Sequence, residues 1–308
     1  MRFYAAPMEG ITGYIYRNAH ASCFPSMQRY YTPFLSPNQK RTLGSKEKND
    51  VIPEHNTGLS VIPQVLTNRA DAFLRAAHIL SDMGYTEINL NLGCPSATVV
   101  TKGKGAGFLA NLSELNAFLE QIFEQCPIAI SLKTRLGMQQ PEEVFALEAL
   151  FSKFPVKEWI LHARVREDFY KNTPHWSIFA EVSKQSKIPI CYNGDIFSVS
   201  DYQKFVHTFP EIDAIMLGRG LLINPALVRE IKGGVPMCAQ EFLQFHDQIC
   251  TGYLDTISGS HHVLCKMKEL WTYWIQYPLL MSKQKEIKKI KKCRNILEYQ
   301  NLVSNLFT

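Results

Sequence analysis

Nowhere in these 308 residues is there an apolar run long enough for a membrane-spanning helix. The N-terminus, Met1–Met8, has no long apolar stretch ahead of a small-residue cleavage site, so no secretory signal is expected. The 8 cysteines are scattered and form no C-x-x-C pair. Neither a zinc site nor a disulfide framework is therefore indicated. Reduced thiols, a cytoplasmic location and no membrane or metal partner are the expectation. A dominant charge is missing too. With 33 basic and 28 acidic residues, the net charge of +5 permits an anionic partner without demanding one.

What is present is ordinary globular material, 46% apolar and 20% charged. The length suits one large domain and one small one. Short β-branched or apolar runs alternate with longer helical patterns, which argues for βαβ units and a parallel sheet. Strands are expected at 3–7, 28–32, 60–65, 87–92, 128–134, 159–163, 189–193 and 214–218. Eight is the number a closed (β/α)8 barrel needs. Between them, Asn68–Met83 carries an apolar stripe of helical period. Asn111 with Glu114 three residues on, Pro141-Glu142-Glu143, and Ser198 ahead of Asp201 all look like helix starts. Past Gly233-Gly234-Val235-Pro236 no strand pattern remains. The expected division is a TIM barrel over 1–234 and a small all-helical domain over 235–308.

Chemistry in such a barrel belongs at the C-terminal strand ends. Polar residues gather there: Glu9 after the first strand, Gln64 on the third, Asn91 and Cys94 at the fourth, and Lys133 and Arg135 on the fifth. His162 and Arg164 follow on the sixth, Asn193-Gly194-Asp195 end the seventh, and Gly218-Arg219-Gly220 end the eighth. The glycines of the last two loops allow backbone N–H groups to approach a phosphate, and Arg219 adds a charge. Tight turns alone would also explain them. Lys133 in an apolar strand calls for an anionic partner, or for an escape to water. A core histidine such as His162 is more often structural. Cys23, Cys126, Cys191, Cys250 and Cys265 read as small buried apolar groups. Cys94, between Gly93 and Pro95 just past a strand end, faces the mouth. The glycine-rich, basic stretch 101–107 after it reads as a mobile loop.

The segments Ala6-Pro7-Met8-Glu9-Gly10, Gln64, Asn91-Leu92-Gly93-Cys94-Pro95-Ser96, Lys133-Thr134-Arg135-Leu136-Gly137, His162-Ala163-Arg164, Asn193-Gly194-Asp195 and Gly218-Arg219-Gly220 occur in one order. In that order and spacing they resemble the tRNA-dihydrouridine synthase family along nearly the whole chain. Met8-Glu9-Gly10 and Gly93-Cys94-Pro95-Ser96 are most similar to its bacterial DusC type. Two departures stand at the rim: Ala163 where the family often has Gly, and an altered 102–107 segment.

The resemblance implies reduction of the C5–C6 bond of a tRNA uridine, with NADPH as reductant and FMN as cofactor. Hydride would arrive at C6 and Cys94 would protonate C5, as a positioned general acid can. FMN would be held by Pro7, Met8, Gln64, Lys133, His162, Asn193, Gly194, Gly218 and Arg219, with Glu9 and Asp195 beside them. Asn91, Arg135 and Arg164 would face the base. A uridine inside folded tRNA must be swung out, which requires grip on the surrounding RNA. Lys288 and Lys292 stand with Lys285 and Lys289 at helical spacing in the basic run 283–294. Lys266 and Lys268, near Trp271 and Trp274, are further candidates. A solvated helix and packed tryptophans are the plainer alternatives. A monomer is expected. The competing readings are an FMN barrel oxidoreductase for a free pyrimidine or small enone, and an RNA-binding protein without catalysis.

Overall fold

The computed structural model describes residues 1–38 and 42–307. Nine strands pair in parallel throughout: β1 Arg2–Ala5, β2 Arg29–Tyr31, β3 Val61–Ile62, β4 Gln64–Val65, β5 Glu87–Leu92, β6 Ala129–Arg135, β7 Trp159–His162, β8 Ile190–Asn193 and β9 Ala214–Leu217. Their order is β3-β2-β1-β9-β8-β7-β6-β5-β4. The two ends of that row, β3 and β4, are one stretch of chain interrupted at Pro63. Proline has no N–H to give to a ladder. Its carbonyl still accepts from Asn89 N–H at 2.8 Å. β3 pairs with β2 and β4 with β5, so the sheet closes on itself as an eight-position barrel. Each expected strand is found, within one or two residues at its ends.

The strands are buried on both faces, yet they still alternate. Ile88, Leu90 and Leu92 join the apolar layer beneath the outer helices, as do Ile130 and Leu132. The alternate residues on β5 and β6, namely Glu87, Asn89, Asn91, Ser131 and Lys133, therefore point to the barrel axis. Tyr4, Ile160, Cys191 and Met216 form a separate small apolar cluster inside the barrel. Above it runs a polar ladder. Asn89 Nδ2 donates to Ser131 Oγ at 3.0 Å, Gln64 Nε2 to Asn89 Oδ1 at 2.7 Å, and Asn91 Nδ2 to Gln64 Oε1 at 2.7 Å. The opposite end of the barrel is closed by charge, with Arg29 between Glu87 and Glu158.

Local rules account for the helix starts. Asn111 Oδ1 accepts from Glu114 N–H at 3.2 Å, and Ser198 Oγ from Asp201 N–H at 3.1 Å, each relieving an orphan donor. The Glu143 carboxylate accepts from the N–H groups of Met138, Gln139 and Gln140 ahead of the helix Glu143–Phe151. Beyond Gly233, at φ +85°, all described elements are helices: Ala239–Thr256, Ser260–Trp274, Pro278–Met281, Gln284–Lys292 and Ile296–Ser304.

These helices share an apolar core that also takes in Ile11, Tyr16, Ala19 and Phe24 from the first βα unit. The helix Tyr14–Cys23 packs closely on Ala239–Thr256, where a Cβ on Gly252 would stand 2.7 Å from Ile15. Trp271 and Trp274 are both fully buried in this core. Neither tryptophan is available to stack on RNA. Cys265 also departs from expectation: it is exposed on the surface of Ser260–Trp274. No helix among the described residues is long and apolar enough to cross a membrane.

Candidate active site

At the C-terminal strand ends lies a cleft of about 190 Å³, open to solvent at its mouth. It is lined by Pro7, Met8, Glu9, Gln64, Asn91, Cys94, Lys133, Arg135, His162, Asn193, Gly194, Asp195, Gly218 and Arg219. Residues spread over 213 positions of chain meet here because parallel strands place all their C-terminal ends on one side.

Asn91 ends β5 and organises the turn that follows. Its Oδ1 accepts from the N–H groups of both Gly93 and Cys94 at 3.0 Å, while its Nδ2 is spent on Gln64. That pins Cys94 at the rim, partly exposed. Burial pushes the Cys94 thiol up, against the pull of Ser96 N–H, Lys133 and Arg135. The group therefore stays protonated at neutral pH, the form a proton donor needs. Much of the stretch read as a mobile loop packs on this cysteine. Ala106 N–H donates to Cys94 O at 3.1 Å. Gly105, at φ +56°, lies so close that a Cβ would sit 2.9 Å from that same carbonyl. Ala97–Val100 and Gly105–Ala110 are helical turns.

Lys133 Nζ donates to Asn193 Oδ1 at 3.0 Å, and Asn193 Nδ2 donates on to Met216 O. Burial and the neighbouring Arg135 bring the Lys133 ammonium down to about 8. Its hydrogen-bond partner is a neutral amide, which leaves the charge unbalanced. Arg135 is almost wholly buried and, among the described residues, has no carboxylate partner: its guanidinium donates to the carbonyls of Gly93, Val165 and Phe169. His162 is held well below its ordinary value by burial and by Arg135, Lys133, Arg164 and Arg219. It is neutral. Arg164 Nη1 lies 3.2 Å from His162 Nε2. A guanidinium can only donate, so Nε2 accepts and the ring proton sits on Nδ1.

The two arginines near Asp195 differ. Arg164 is about 1% exposed and does not line the cleft. It grips Asp195 with both Nη atoms and donates through Nε to Asn172 O at 2.6 Å. The site expected to face a base is thus a buried support, and it acts on the cleft only through Asp195 and His162. Arg219 Nη2 donates to the same carboxylate at 2.6 Å, but it reaches the cleft and lies under the rings of Tyr170 at 4.7 Å and Phe197 at 5.2 Å. Glycine is required beside it. A Cβ on Gly220 would stand 2.0 Å from Ile196 O, and one on Gly194 would stand 1.9 Å from the Tyr192 hydroxyl.

Tyr170 and Phe197 were not singled out by sequence. Tyr170 is 46% exposed at the mouth and has Arg135 as well as Arg219 against its ring. Its segment is anchored by Asp168, whose carboxylate accepts from Val165 N–H at 2.9 Å, His175 Nε2 at 3.0 Å and Asn172 Nδ2. Phe169 between them sits at φ +48°. An aromatic residue next to an acidic one within Arg166–Tyr170 was the only trace in the sequence.

The basic candidates lie apart from the cleft. Lys288 and Lys292 are exposed on Gln284–Lys292, which is anchored by buried Ile287 and Ile290. Lys266 Nζ is bonded to Gly10 O at 2.7 Å, and Lys268 Nζ to Cys293 O.

A model of the dihydrouridine synthase family matches residues 4–298. The tRNA-dihydrouridine(16) synthase of Cupriavidus necator is 26% identical over 242 residues, covering 75% of this chain and 74% of that protein. The one from Pseudomonas putida is 27% identical over 255 residues, covering 80% and 78%. Among solved structures, the old yellow enzyme homologue of Zymomonas mobilis superposes with a TM-score of 0.56 at 12% identity, over 77% of this chain and 90% of that one. Morphinone reductase in complex with tetrahydroNAD gives 0.55 at 11%, over 77% and 88%. At such identities the likeness is one of fold.

Proposed function

The chain belongs to the dihydrouridine synthase family, and from that premise we propose that it is an FMN-dependent tRNA-dihydrouridine synthase using NADPH, active in the cytoplasm as a monomer. The single observation that carries the site reading is the charge of the cleft. Lys133, Arg135 and Arg219 line it against one inward carboxylate, Asp195, which is already paired with Arg164 behind the wall, while Glu9 is paired outward to Lys46 at 3.2 Å. Buried positive charge of this size needs an anion. FMN, with its phosphate and an electron-rich pyrimidine edge, is an anion that fits.

Lys133 and the Nδ1–H of His162 would be the donors to the pyrimidine edge of the ring system. Arg219 and the backbone N–H groups about Gly194 and Gly220 suit the phosphate. When bound, the cofactor supplies hydride chemistry that no protein side chain can. The remainder falls to this chain. Cys94, protonated and pinned at the rim by Asn91, delivers a proton to C5 of the uracil. Arg135 and Asn91 orient the turn that carries it. Tyr170, flat over two guanidinium groups at the mouth, is placed to cover a planar base. Lys288 and Lys292 meet RNA phosphates from the helical domain over 235–308, while the barrel over 1–234 does the chemistry.

The relatives' names point to the uridine at position 16. The test is tRNA from cells lacking dihydrouridine synthases, incubated with purified protein and NADPH and mapped by mass spectrometry, with Cys94→Ala alongside. Dihydrouridine at position 16, slowed by about 10²–10⁴-fold in the variant, is the expected result. A protein that binds FMN and oxidises NADPH but leaves every tRNA uridine intact would refute the substrate and favour a small enone.

A further inference from the structure

Lys266 is engaged within the protein, where its sequence context implies a contact to RNA. A lysine in a helical RNA-binding domain reads as a phosphate contact, yet its ammonium is half-buried and already engaged. It donates to Gly10 O at 2.7 Å and lies 5.5 Å from the Tyr253 ring centre. Gly10 belongs to the turn after β1, which carries Met8 and Glu9 into the cleft. That turn is held on every side. Thr12 Oγ1 accepts from Met8 N–H at 2.8 Å, and Met8 O accepts from Ile11 and Thr12 N–H at 3.0 Å.

Buried Arg17 donates to Thr12 O at 3.0 Å, and Arg17 is itself bonded to Asp50 O and Asn56. Ile11 is embedded in the helical core rather than the barrel core. Gly10 itself sits at φ +79° with nothing within 4 Å of a would-be Cβ, so packing does not fix it. Beyond the bonds within the turn, the Lys266 hydrogen bond to its carbonyl ties it to the helical domain.

We propose, building on the flavin reading above, that Lys266 is a positioning residue for the cofactor cleft: through Gly10 it holds the Met8–Thr12 turn against the flavin site, and it is not spent on RNA phosphate. The helical domain therefore shapes the cofactor site before any RNA arrives. Among the described residues, Lys266 is the cation that reaches from the Ser260–Trp274 helix to this turn, and it is the physical link, since a charged donor on a carbonyl is worth more than a neutral one.

The test uses the full chain stripped of flavin, as wild type, Lys266→Met and Lys266→Arg, with Lys288→Ala as the RNA-contact comparison, expected to lower the salt slope and leave FMN affinity unchanged. FMN affinity is read by quenching of flavin fluorescence without RNA. tRNA affinity is then read across a salt series at saturating FMN, and thermal midpoints show that each variant is folded. The expected result for Lys266→Met is FMN binding weakened by about three- to tenfold, with recovery to within about twofold in Lys266→Arg. The slope of log tRNA affinity against log salt stays unchanged. FMN affinity within twofold of wild type, with loss of tRNA affinity and a shallower salt slope, would overturn the proposal and restore Lys266 as an RNA contact. If Lys266→Met does not fold, Lys266→Gln carries the same comparison with a shorter donor. Wild-type protein that failed to bind FMN would sink the flavin reading along with this one. Wild type that binds, beside an unaffected Lys266→Met, sinks only this one.

Discussion

Replacing Asp168 by Ala removes the acceptor on which the Tyr170 segment is hung. The carboxylate is 6% exposed and takes three donors: the Val165 N–H, the Asn172 amide and the His175 ring. Hydrogen bonds to an ionised acceptor contribute about 1.5–3 kcal/mol each, and three sharing one group do not add in full. On opening, the freed donors rehydrate, so the net loss to the segment is about 3 kcal/mol.

That is enough to free the segment. Phe169 pays for a left-handed backbone at φ +48°, and Tyr170 is held by the two guanidinium faces and the His162 ring 6.1 Å away. A covering ring displaced by an ångström costs about 10²-fold in rate. The expected outcome is kcat/KM for tRNA lower by roughly 10–100-fold, with NADPH oxidation in the absence of tRNA within about twofold of wild type. Amide exchange should accelerate over residues 165–175. The His175 and Asn172 bonds outweigh burial and hold the Asp168 carboxyl below its ordinary value. Its stabilisation is therefore present above the unfolded-chain value and lost as pH falls through the folded one. Asp168→Ala should flatten that acid limb. Unchanged exchange over 165–175, or kcat/KM within twofold of wild type, would refute the reasoning.

Three further outcomes are expected. In flavin-free protein the Lys133 ammonium, brought down to about 8, sheds its proton before the unfolded chain does. Stability should accordingly rise between pH 8 and about 10.4, and Lys133→Met should remove that slope in urea titrations. Gly220→Ala drives a Cβ to 2.0 Å from Ile196 O. It should cost about 2–3 kcal/mol in chemical denaturation and weaken FMN binding, whereas Gly218→Ala, with 3.6 Å to Ala6 Cβ, should be much milder. Lys288→Ala with Lys292→Ala should lower the salt slope of tRNA binding by about 1.4–1.8, and leave FMN affinity alone. An unchanged slope would make that helix a solvated surface.

The sequence by itself determined the eight strand positions, the helix starts at Asn111 and Ser198, the loss of strands after Gly233, and the strand ends that face one mouth. These are local properties: side-chain period, capping chemistry and turn residues act within a few positions. Tertiary structure alone decided what long-range partners impose. Arg164 and Arg219 look alike as arginines following strands, but only the fold spends one on Asp195 out of reach of the cleft and leaves the other at its edge. Trp271 and Trp274 stand three apart on a basic helix, and only packing shows that both are core. Lys266 lies 256 positions from Gly10, and Asp168 acts through a segment whose shape no local pattern announces. Whether a polar side chain contacts a ligand or a neighbour depends on what the closed barrel and the docked helices bring within 3 Å. Hydrogen bonds fall off over that distance, and sequence separation carries no information about it.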